Sequence, residues 1–192
     1  MTGIALRGVR KAYGDQVVLD GLDLDLPDGS VTALMGPNGS GKTTIGRLVL
    51  GLEHPDAGAV TGLAGRRVAA TFQEDRLCEQ LTAERNVRLV LDRARAADAV
   101  AALRAAGLDD DALAKPVRDL SGGQRRRVAI VRALVAPADV VVLDEPFKGL
   151  DTAARERLLA LVRERCAGRT LLLVTHDAAE AAALNATVVT LP

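Results

Sequence analysis

The sequence contains few aromatic residues and few cysteines. It has no Trp, one Tyr and two Phe in 192 residues, and its two cysteines, Cys78 and Cys166, form no CxxC motif. Two distant thiols do not make the disulfide framework of a small secreted domain or a structural zinc site. The cysteine usage therefore predicts a cytosolic protein. The length of 192 residues predicts one domain, long enough to bury a single sizeable core.

Excess charge of one sign and long apolar runs are also missing. Lys and Arg total 25, as do Asp and Glu, so the formal net charge is zero. Proteins that bind a nucleic-acid duplex usually carry a basic excess, and no nucleic-acid partner is expected here. The longest charge-free run, Gly29 to Gly41, is shorter than the ~18 apolar residues of a membrane helix and is broken by glycines. A role at a membrane would therefore depend on a partner.

What the chain does contain is a glycine-rich loop between a predicted strand (Ser30 to Met35) and a predicted helix (Thr44 to Leu52). The loop matches GxxxxGK[ST] and consists of Gly36, Pro37, Asn38, Gly39, Ser40, Gly41, Lys42, Thr43 and Thr44. Its glycines allow backbone N–H groups to turn towards a polyphosphate, and the helix N-terminus adds partial positive charge. The loop predicts a nucleotide site in which Lys42 reaches the outer phosphates and Thr43 binds Mg²⁺.

The segment before this loop predicts strands, because leucines alternate with Asp23 and Asp25. Tyr13 lies on the first strand or at its end, and is a candidate to stack on a purine base. The alternative is a ring that packs at the strand edge. Beyond the loop, residues 53–58 contain His, Pro, Asp and Gly and predict a turn, in which His54 is solvated.

The middle of the chain predicts one strand followed by helices. The strand covers residues 67–73 and ends in a polar run that begins at Gln73. Residues 77–136 show helical spacing, with Gly107 as a stop signal. Their arginines are interpreted as a solvated helix face, since acidic residues lie among them.

A second candidate anion site follows within the same chain. Leu120, Ser121, Gly122, Gly123 and Gln124 precede an apolar-periodic helix predicted from Arg125 to Val135. Ser121 is suited to be the helix N-cap, which leaves two glycine N–H groups at the positive end of the helix.

Two further apolar strands end in polar residues. Residues 140–143 lead into Asp144 and Glu145, and residues 170–175 lead into His176. Ligands bind at the carboxyl ends of strands in open α/β sheets. Asp144 is predicted to hold Mg²⁺ and Glu145 to polarise a water, the alternative being that the two acids cap the next turn. His176 is predicted to touch a terminal phosphate, the alternative being a structural role.

These motifs, in this order, resemble the ATP-binding-cassette (ABC) ATPase domain over nearly the whole chain. The resemblance assigns an aromatic A-loop at Tyr13, Walker A at Gly36 to Thr44, a Q-loop at Gln73, the signature at Leu120 to Gln124, Walker B at Val140 to Asp144 followed by Glu145, a D-loop at Gly149 to Asp151, and the switch histidine at His176. It implies an α/β fold of the P-loop NTPase type, with a mixed core sheet flanked by helices, an N-terminal antiparallel β region and a helical subdomain. One domain would span residues 1–192, with the core at about 1–76 and 137–192 and the subdomain at about 77–136.

The resemblance also implies ATP hydrolysis with Mg²⁺ in a head-to-tail dimer. ATP on the Gly36 to Thr44 loop of one subunit would be closed by Ser121, Gly122, Gly123 and Gln124 of the other. Glu145 would be the catalytic base, Lys42 would take up charge, and Gln73 and His176 would orient metal, water and γ-phosphate. Gln73 would join Thr43 and Asp144 around the metal, and Asp151 would lie near the dimer axis.

Within the family, residues 72–77 and 145–147 look similar to ATPase subunits of bacterial importers for nitrate, sulfonate, taurine and thiamine. Such a subunit lies on the inner face of the membrane through a permease, and a substrate-binding protein can complete the system. Lys148 departs from this pattern, because many relatives have a small residue there. Two alternatives stay open: a soluble ABC-type ATPase acting on a cluster-assembly or nucleic-acid partner, and a small-molecule P-loop kinase, which leaves the Ser-Gly-Gly turn without a role.

Overall fold

The computed structural model describes residues 3–92 and 95–192, which form two compact units. The first consists of the described residues up to Ala70 together with Ala138–Asp144 and Gly168–Pro192. The second consists of Thr71–Pro137 and Glu145–Ala167. The second unit thus includes residues 145–167 as well as the region that the sequence assigns to a helical subdomain, whose bounds at 77–136 stay a prediction.

Eight strands and seven α-helices lie within the described residues. The strands are β1 Gly3–Tyr13, β2 Gln16–Pro27, β3 Val31–Met35, β4 Ala57–Thr61, β5 Val68–Thr71, β6 Val140–Asp144, β7 Thr170–Val174 and β8 Thr187–Thr190. The helices are α1 Lys42–Val49, α2 Ala83–Arg88, α3 Ala96–Ala105, α4 Asp110–Ala114, α5 Gly122–Val135, α6 Thr152–Arg165 and α7 Ala178–Ala183.

The first unit contains a three-stranded antiparallel sheet in the order β2-β1-β4. Leu24 and Leu26 of β2 are buried opposite Leu6 and Ile4 of β1, while Asp25 between them is exposed. Alternation of this kind places one face of a strand on the core and the other in water. The strand expected from the leucine pattern and the antiparallel region implied by the family resemblance are therefore both present.

Strand β4 corrects the prediction that residues 53–58 form only a turn. The strand begins at Ala57 and pairs with β1, and Gly58 has φ 80°. A Cβ at Gly58 would lie 2.3 Å from the Gly8 carbonyl oxygen. Glycine is therefore required here by a close approach of two backbones, a role that a sequence alone does not distinguish from that of a turn glycine.

The first unit also contains a five-stranded sheet in the order β5-β6-β7-β3-β8. The pairs β6/β7, β7/β3 and β3/β8 are parallel, and every residue of β6 and β7 is buried. Parallel neighbours end at the same edge of a sheet, so Met35, Asp144 and Val174 share one edge. Helix α1 packs against β6 and β7, and one core cluster joins Leu6 of the antiparallel sheet, Ile45 of α1 and Val142 of the five-stranded sheet.

The second unit is helical, and α5 is its central helix. Helix α5 packs against α2, α3 and α6, and buries Val128, Val131 and Leu134. It begins at Gly122, three residues before the predicted start at Arg125, because the Ser121 cap lets both glycines enter the first turn. Helix α3 ends before Gly107, whose φ of 81° confirms the predicted stop. None of the helices in the described part of the chain is long and apolar enough to cross a membrane.

Candidate functional site

The glycine-rich loop of the first unit connects β3 to α1, as its sequence predicts. Gly36, Gly39 and Gly41 have φ values of 145°, 85° and 91°, a region in which side chains are strained. A Cβ at Gly41 would also lie 2.5 Å from Leu19 Cδ2. Gly41 is the N-cap of α1, which has no side-chain cap. The start of this helix therefore presents backbone donors that no capping side chain covers, as an anion site requires.

Lys42 places a positive charge within this loop. Its Nζ donates hydrogen bonds to the carbonyl oxygens of Gly36, at 2.8 Å, and Pro37, and lies 3.4 Å from Ser40 Oγ. Only 8% of the residue is exposed. A buried ammonium held by loop carbonyls, at a helix N-terminus, is a centre to which a polyphosphate is attracted.

Thr43 and Asp144 meet beside the loop although 101 residues separate them in the chain. Thr43 Oγ1 donates a hydrogen bond to Asp144 Oδ2 at 3.0 Å, and Asp144 is 5% exposed. Hydroxyl and carboxylate oxygens suit Mg²⁺, which commonly takes its other ligands from phosphates and water. Among the residues that the structure describes, no group of three or more His, Cys, Asp or Glu side chains is arranged to hold a metal. The donor set therefore fits a metal that arrives with a phosphate ligand.

Tyr13 lies at the end of β1, close to helix α1. It is 42% exposed, its hydroxyl donates a hydrogen bond to a Glu53 carboxylate oxygen, and its Oη lies 3.5 Å from Thr44 Oγ1. Glu53 forms an ion pair with Arg47 of α1, with 3.2 Å between Nη1 and Oε1. Sequence reasoning did not identify Glu53 or Arg47, since both follow the motif and neither belongs to its pattern.

His176 follows β7 at the edge where β3 and β6 also end. It is exposed, whereas Thr175 before it is buried. Thr175 Oγ1 donates to Glu180 Oε2, and the Asp177 amide donates to Thr175 Oγ1 at 3.1 Å. These bonds fix the turn that carries His176. Glu180, which is 7% exposed, is a further residue that the sequence did not single out.

The Ser-Gly-Gly turn begins α5 in the second unit. The Gln124 amide donates to Ser121 Oγ at 3.2 Å, and the Ser121 amide donates to Gln124 Oε1 at 2.8 Å. This capping box confirms Ser121 as the N-cap. Ser121 and Gly122 are exposed, and a Cβ at Gly122 would meet no atom within 4 Å. The turn is therefore accessible on the surface of its own chain.

Gln73 is exposed, in a segment that two arginines of α5 hold by its backbone. Arg126 donates to the carbonyl oxygens of Phe72 and Gln73, at 2.7 and 2.6 Å, and forms an ion pair with Asp75 at 3.2 Å. Burial raises the pKa of Asp75 against the opposing effect of Arg126. Arg132 donates to the Arg76 carbonyl oxygen at 2.9 Å.

For Arg126 and Arg132 the predicted solvated arginine face is therefore wrong. The Arg126 side chain is only 14% exposed. The irregular segment has carbonyl oxygens that need donors, and Arg126 supplies them.

Glu145 follows β6 directly, and Asp151 starts α6. Glu145 has φ 44°, and its Oε2 lies 3.1 Å from Lys148 Nζ. The Glu145 side chain is 11% exposed and that of Lys148 is 66% exposed. Asp151 Oδ1 accepts a hydrogen bond from the Ala154 amide at 2.8 Å and so caps α6. Lys148, which the sequence marks as unusual, is thus the ion-pair partner of the predicted base.

The predicted site residues divide between the two units. The first unit contains the Gly36 to Thr44 loop, Asp144, Tyr13 and His176. The second unit contains Gln73, Glu145, Asp151 and the turn from Ser121 to Gln124. The residues of the first unit fit a nucleoside triphosphate with its metal, because they combine glycine-loop donors, a buried lysine and paired oxygen ligands.

Comparison with known proteins gives a consistent picture. The family model described as ABC transporter matches residues 19–148. The chain is 42% identical to the aliphatic sulfonates import ATP-binding protein SsuB 3 of Paraburkholderia xenovorans, over 94% of this chain and 73% of that protein. Its fold resembles the dimeric structure of a bacterial ABC transporter cassette, with a TM-score of 0.86, 28% identity and coverage of 98% and 94% of the two chains. A dimeric post-hydrolysis state of the same cassette, bound to ADP and Pi, gives a TM-score of 0.85 and 27% identity over the same shares.

Proposed function

The chain belongs to the ABC transporter family as a subunit that binds and hydrolyses ATP, and from that premise we propose that it powers a membrane importer through an ATP-dependent dimer. In this proposal each ATP lies on the Gly36 to Thr44 loop of one copy and is closed by the Ser121 to Gln124 turn of another. Tyr13 stacks on the adenine ring, and Asp151 lies near the dimer axis.

The residues of the site divide the hydrolytic step among them. Glu145 accepts a proton from the water whose oxygen forms a bond to the γ-phosphorus, while the bond between that phosphorus and the β,γ-bridging oxygen breaks and ADP leaves with the bridging oxygen. Lys42 stabilises the negative charge that builds on the phosphate oxygens. Gln73 and His176 orient the water and the γ-phosphate.

Thr43, Asp144 and Gln73 would hold Mg²⁺, which supplies charge neutralisation on the phosphates when bound. The pair formed by Thr43 Oγ1 and Asp144 Oδ2 supports this role, since both are hard oxygen donors. We expect Asp144→Asn to raise the Mg²⁺ concentration needed for half-maximal hydrolysis, as measured by a metal titration at saturating ATP.

One observation supports the two-chain site more than any other. The Ser-Gly-Gly turn is a capped helix start that is exposed, and open space lies where a Gly122 side chain would be. Exposed first-turn N–H groups at the positive end of a helix suit an anion that comes from outside the chain.

Mixing two inactive variants tests this site. Lys42→Ala removes the loop lysine and Ser121→Arg blocks the turn, so neither homodimer has an intact site. A mixed dimer has one intact site, formed by the loop of the Ser121→Arg chain and the turn of the Lys42→Ala chain. We expect the mixture to recover ATP-dependent dimerisation and part of the phosphate release. Loss of nucleotide binding by the single Ser121→Arg chain, or no recovery in either readout, would contradict the proposal.

The importer assignment rests on the names of the relatives. The related protein of Paraburkholderia xenovorans is described as an import ATP-binding protein for aliphatic sulfonates. By similarity, this subunit would lie on the cytoplasmic face of the cell membrane, bound to a permease and served by a substrate-binding protein. Affinity purification from membranes of the source cell should recover a multi-span membrane protein. Recovery of soluble scaffold proteins alone would favour a cluster-assembly ATPase instead.

A further inference from the structure

The residues around Tyr13 form a connected set that the catalytic scheme does not use. Glu53 accepts the hydrogen bond of the Tyr13 hydroxyl, and the Glu53 side chain is 20% exposed. Arg47 Nη1 donates to the second carboxylate oxygen of Glu53 at 3.2 Å. Because Arg47 belongs to α1, whose first residues are Lys42 and Thr43, the Tyr13 ring is linked through Glu53 to the helix of the phosphate loop.

The backbone at the end of β1 is held by the same turn. Asp56 Oδ2 accepts a hydrogen bond from the Ala12 amide at 2.7 Å, and Asp56 Oδ1 lies 3.0 Å from Lys11 Nζ. Lys11 also donates to the His54 carbonyl oxygen at 2.9 Å. The hydrogen bond from the Ala12 amide is the largest cause that lowers the pKa of Asp56, and the hydrogen bond from Lys11 is the next largest. The turn thus fixes the Cα of Tyr13 through its neighbours.

The ring itself is the part that this arrangement leaves accessible. Lys11 Nζ lies over the ring, 5.7 Å from its centroid, and 42% of Tyr13 is exposed. An exposed tyrosine ordinarily samples several rotamers, and ordering it on a ligand costs free energy. A hydroxyl held by Glu53 removes much of that cost before the ligand arrives.

We propose that Glu53 is a positioning residue for the purine base, acting through the Tyr13 hydroxyl. The inference depends on the stacking role of Tyr13 in the proposed function. Glu53 touches neither base nor phosphate in this scheme. Its contribution is to hold the ring in the orientation that stacks, so that it affects the affinity for ligands with a base and not for ligands that contain only phosphates.

The experiment compares ATP with inorganic tripolyphosphate as ligands of the full chain in the presence of Mg²⁺. Tyr13→Phe removes the hydroxyl and keeps the ring, whereas Glu53→Ala removes the acceptor. One lost hydrogen bond corresponds to a loss of about three- to ten-fold in affinity, so we expect each variant to weaken ATP by that factor. Tripolyphosphate affinity should stay within about two-fold of the unaltered chain, since the base contact is absent for that ligand.

A double variant separates positioning from independent effects. If Glu53 acts through the hydroxyl, Tyr13→Phe combined with Glu53→Ala should bind ATP no more weakly than either single variant. Glu53→Gln keeps an acceptor oxygen and should restore most of the ATP affinity. Glu164→Ala, on an exposed glutamate of α6 that is paired with a neighbouring arginine, is the matched control and should change neither ligand.

Two outcomes decide between the inference and its premise. If Tyr13→Ala leaves the ratio of ATP to tripolyphosphate affinity unchanged, the stacking role itself is wrong. If Tyr13→Ala lowers that ratio but Tyr13→Phe and Glu53→Ala do not, stacking stands and the role of Glu53 is overturned. Should Glu53→Ala fail to fold, Tyr13→Phe decides instead, because it removes the hydroxyl that donates to Glu53 and keeps the ring.

Discussion

The chain contains two glycine-rich helix starts that look alike in sequence and differ in construction. At the start of α1, Gly41 has φ 91°, and a Cβ there would lie 2.5 Å from Leu19 Cδ2. At the start of α5, Gly122 is inside the first turn and a Cβ would meet nothing within 4 Å. Glycine is therefore required by the fold at the first start and not at the second.

The two helix starts also differ in their side-chain caps. Helix α1 has no side-chain cap, whereas Ser121 and Gln124 form a reciprocal capping box at α5. No side chain caps the donors of the first start, and its lysine lies inside the loop. The second start is stable on its own and keeps open space at Gly122, which we attribute to a ligand held by another copy. In the proposed two-chain site, this difference distinguishes the half that binds nucleotide on one chain from the half that is offered to another copy.

The largest expected effect concerns ATP hydrolysis, which in the proposed site needs the glycine loop of one copy and the Ser-Gly-Gly turn of another. Glu145→Gln removes the proton acceptor without changing the size of the side chain, so we expect phosphate release to fall by about 10²- to 10⁴-fold. ATP binding should persist and the closed dimer should accumulate, as measured by light scattering with ATP. Glu164→Gln is the control. A variant that remains monomeric with ATP and still hydrolyses it would show that the two halves do not cooperate.

The second prediction breaks the α5 start alone. Ser121→Arg places a bulky cation at an exposed turn, so the free energy of unfolding should fall only by the loss of a cap, about 1 kcal/mol. Nucleotide affinity of the single chain should stay within about two-fold, while ATP-driven dimerisation should be lost. Equilibrium binding of a fluorescent nucleotide and size-exclusion chromatography with ATP measure the two effects. Ser121→Ala, which removes the cap without adding bulk, is the matched control.

The third prediction compares the two glycines directly. Gly41→Ala must adopt a left-handed backbone beside Leu19, so we expect the free energy of unfolding to fall by about 1–3 kcal/mol or more. Gly122→Ala should raise it by up to about 1 kcal/mol, because alanine is the better helix residue. Urea denaturation of both variants measures this contrast. Equal destabilisation would remove the structural distinction between the two starts.

The smallest expected effect concerns Lys148. Its ion pair with Glu145 has one highly exposed partner, so Lys148→Ala should lower the free energy of unfolding by less than about 1 kcal/mol. The difference should shrink further at high salt, because screening weakens exposed pairs. Urea denaturation at low and high ionic strength measures it, with Lys115→Ala, another lysine paired with an acidic residue on the surface, as the reference.

The local elements were largely predictable from the sequence. The strand before the glycine loop, the cap at Ser121 and the stop at Gly107 are set by residues within a few positions of one another, and all three are confirmed. Strand β4 was missed because Gly58 serves a close approach to a strand distant in sequence. Arg126 was misjudged because its acceptors, the carbonyl oxygens at Phe72 and Gln73, precede it by more than fifty residues.

By itself, the sequence determined the strand–loop–helix units and their order, since hydrophobic periodicity, caps and glycines act over short distances along the chain. The motifs had already placed Thr43 and Asp144 around one metal, and the two residues do meet. Only the tertiary structure decided which other distant groups meet: Tyr13 with Glu53, and Arg126 with the segment around Gln73. Such contacts follow from the order of strands in a sheet and from helix packing, and no local pattern of residues specifies either of these.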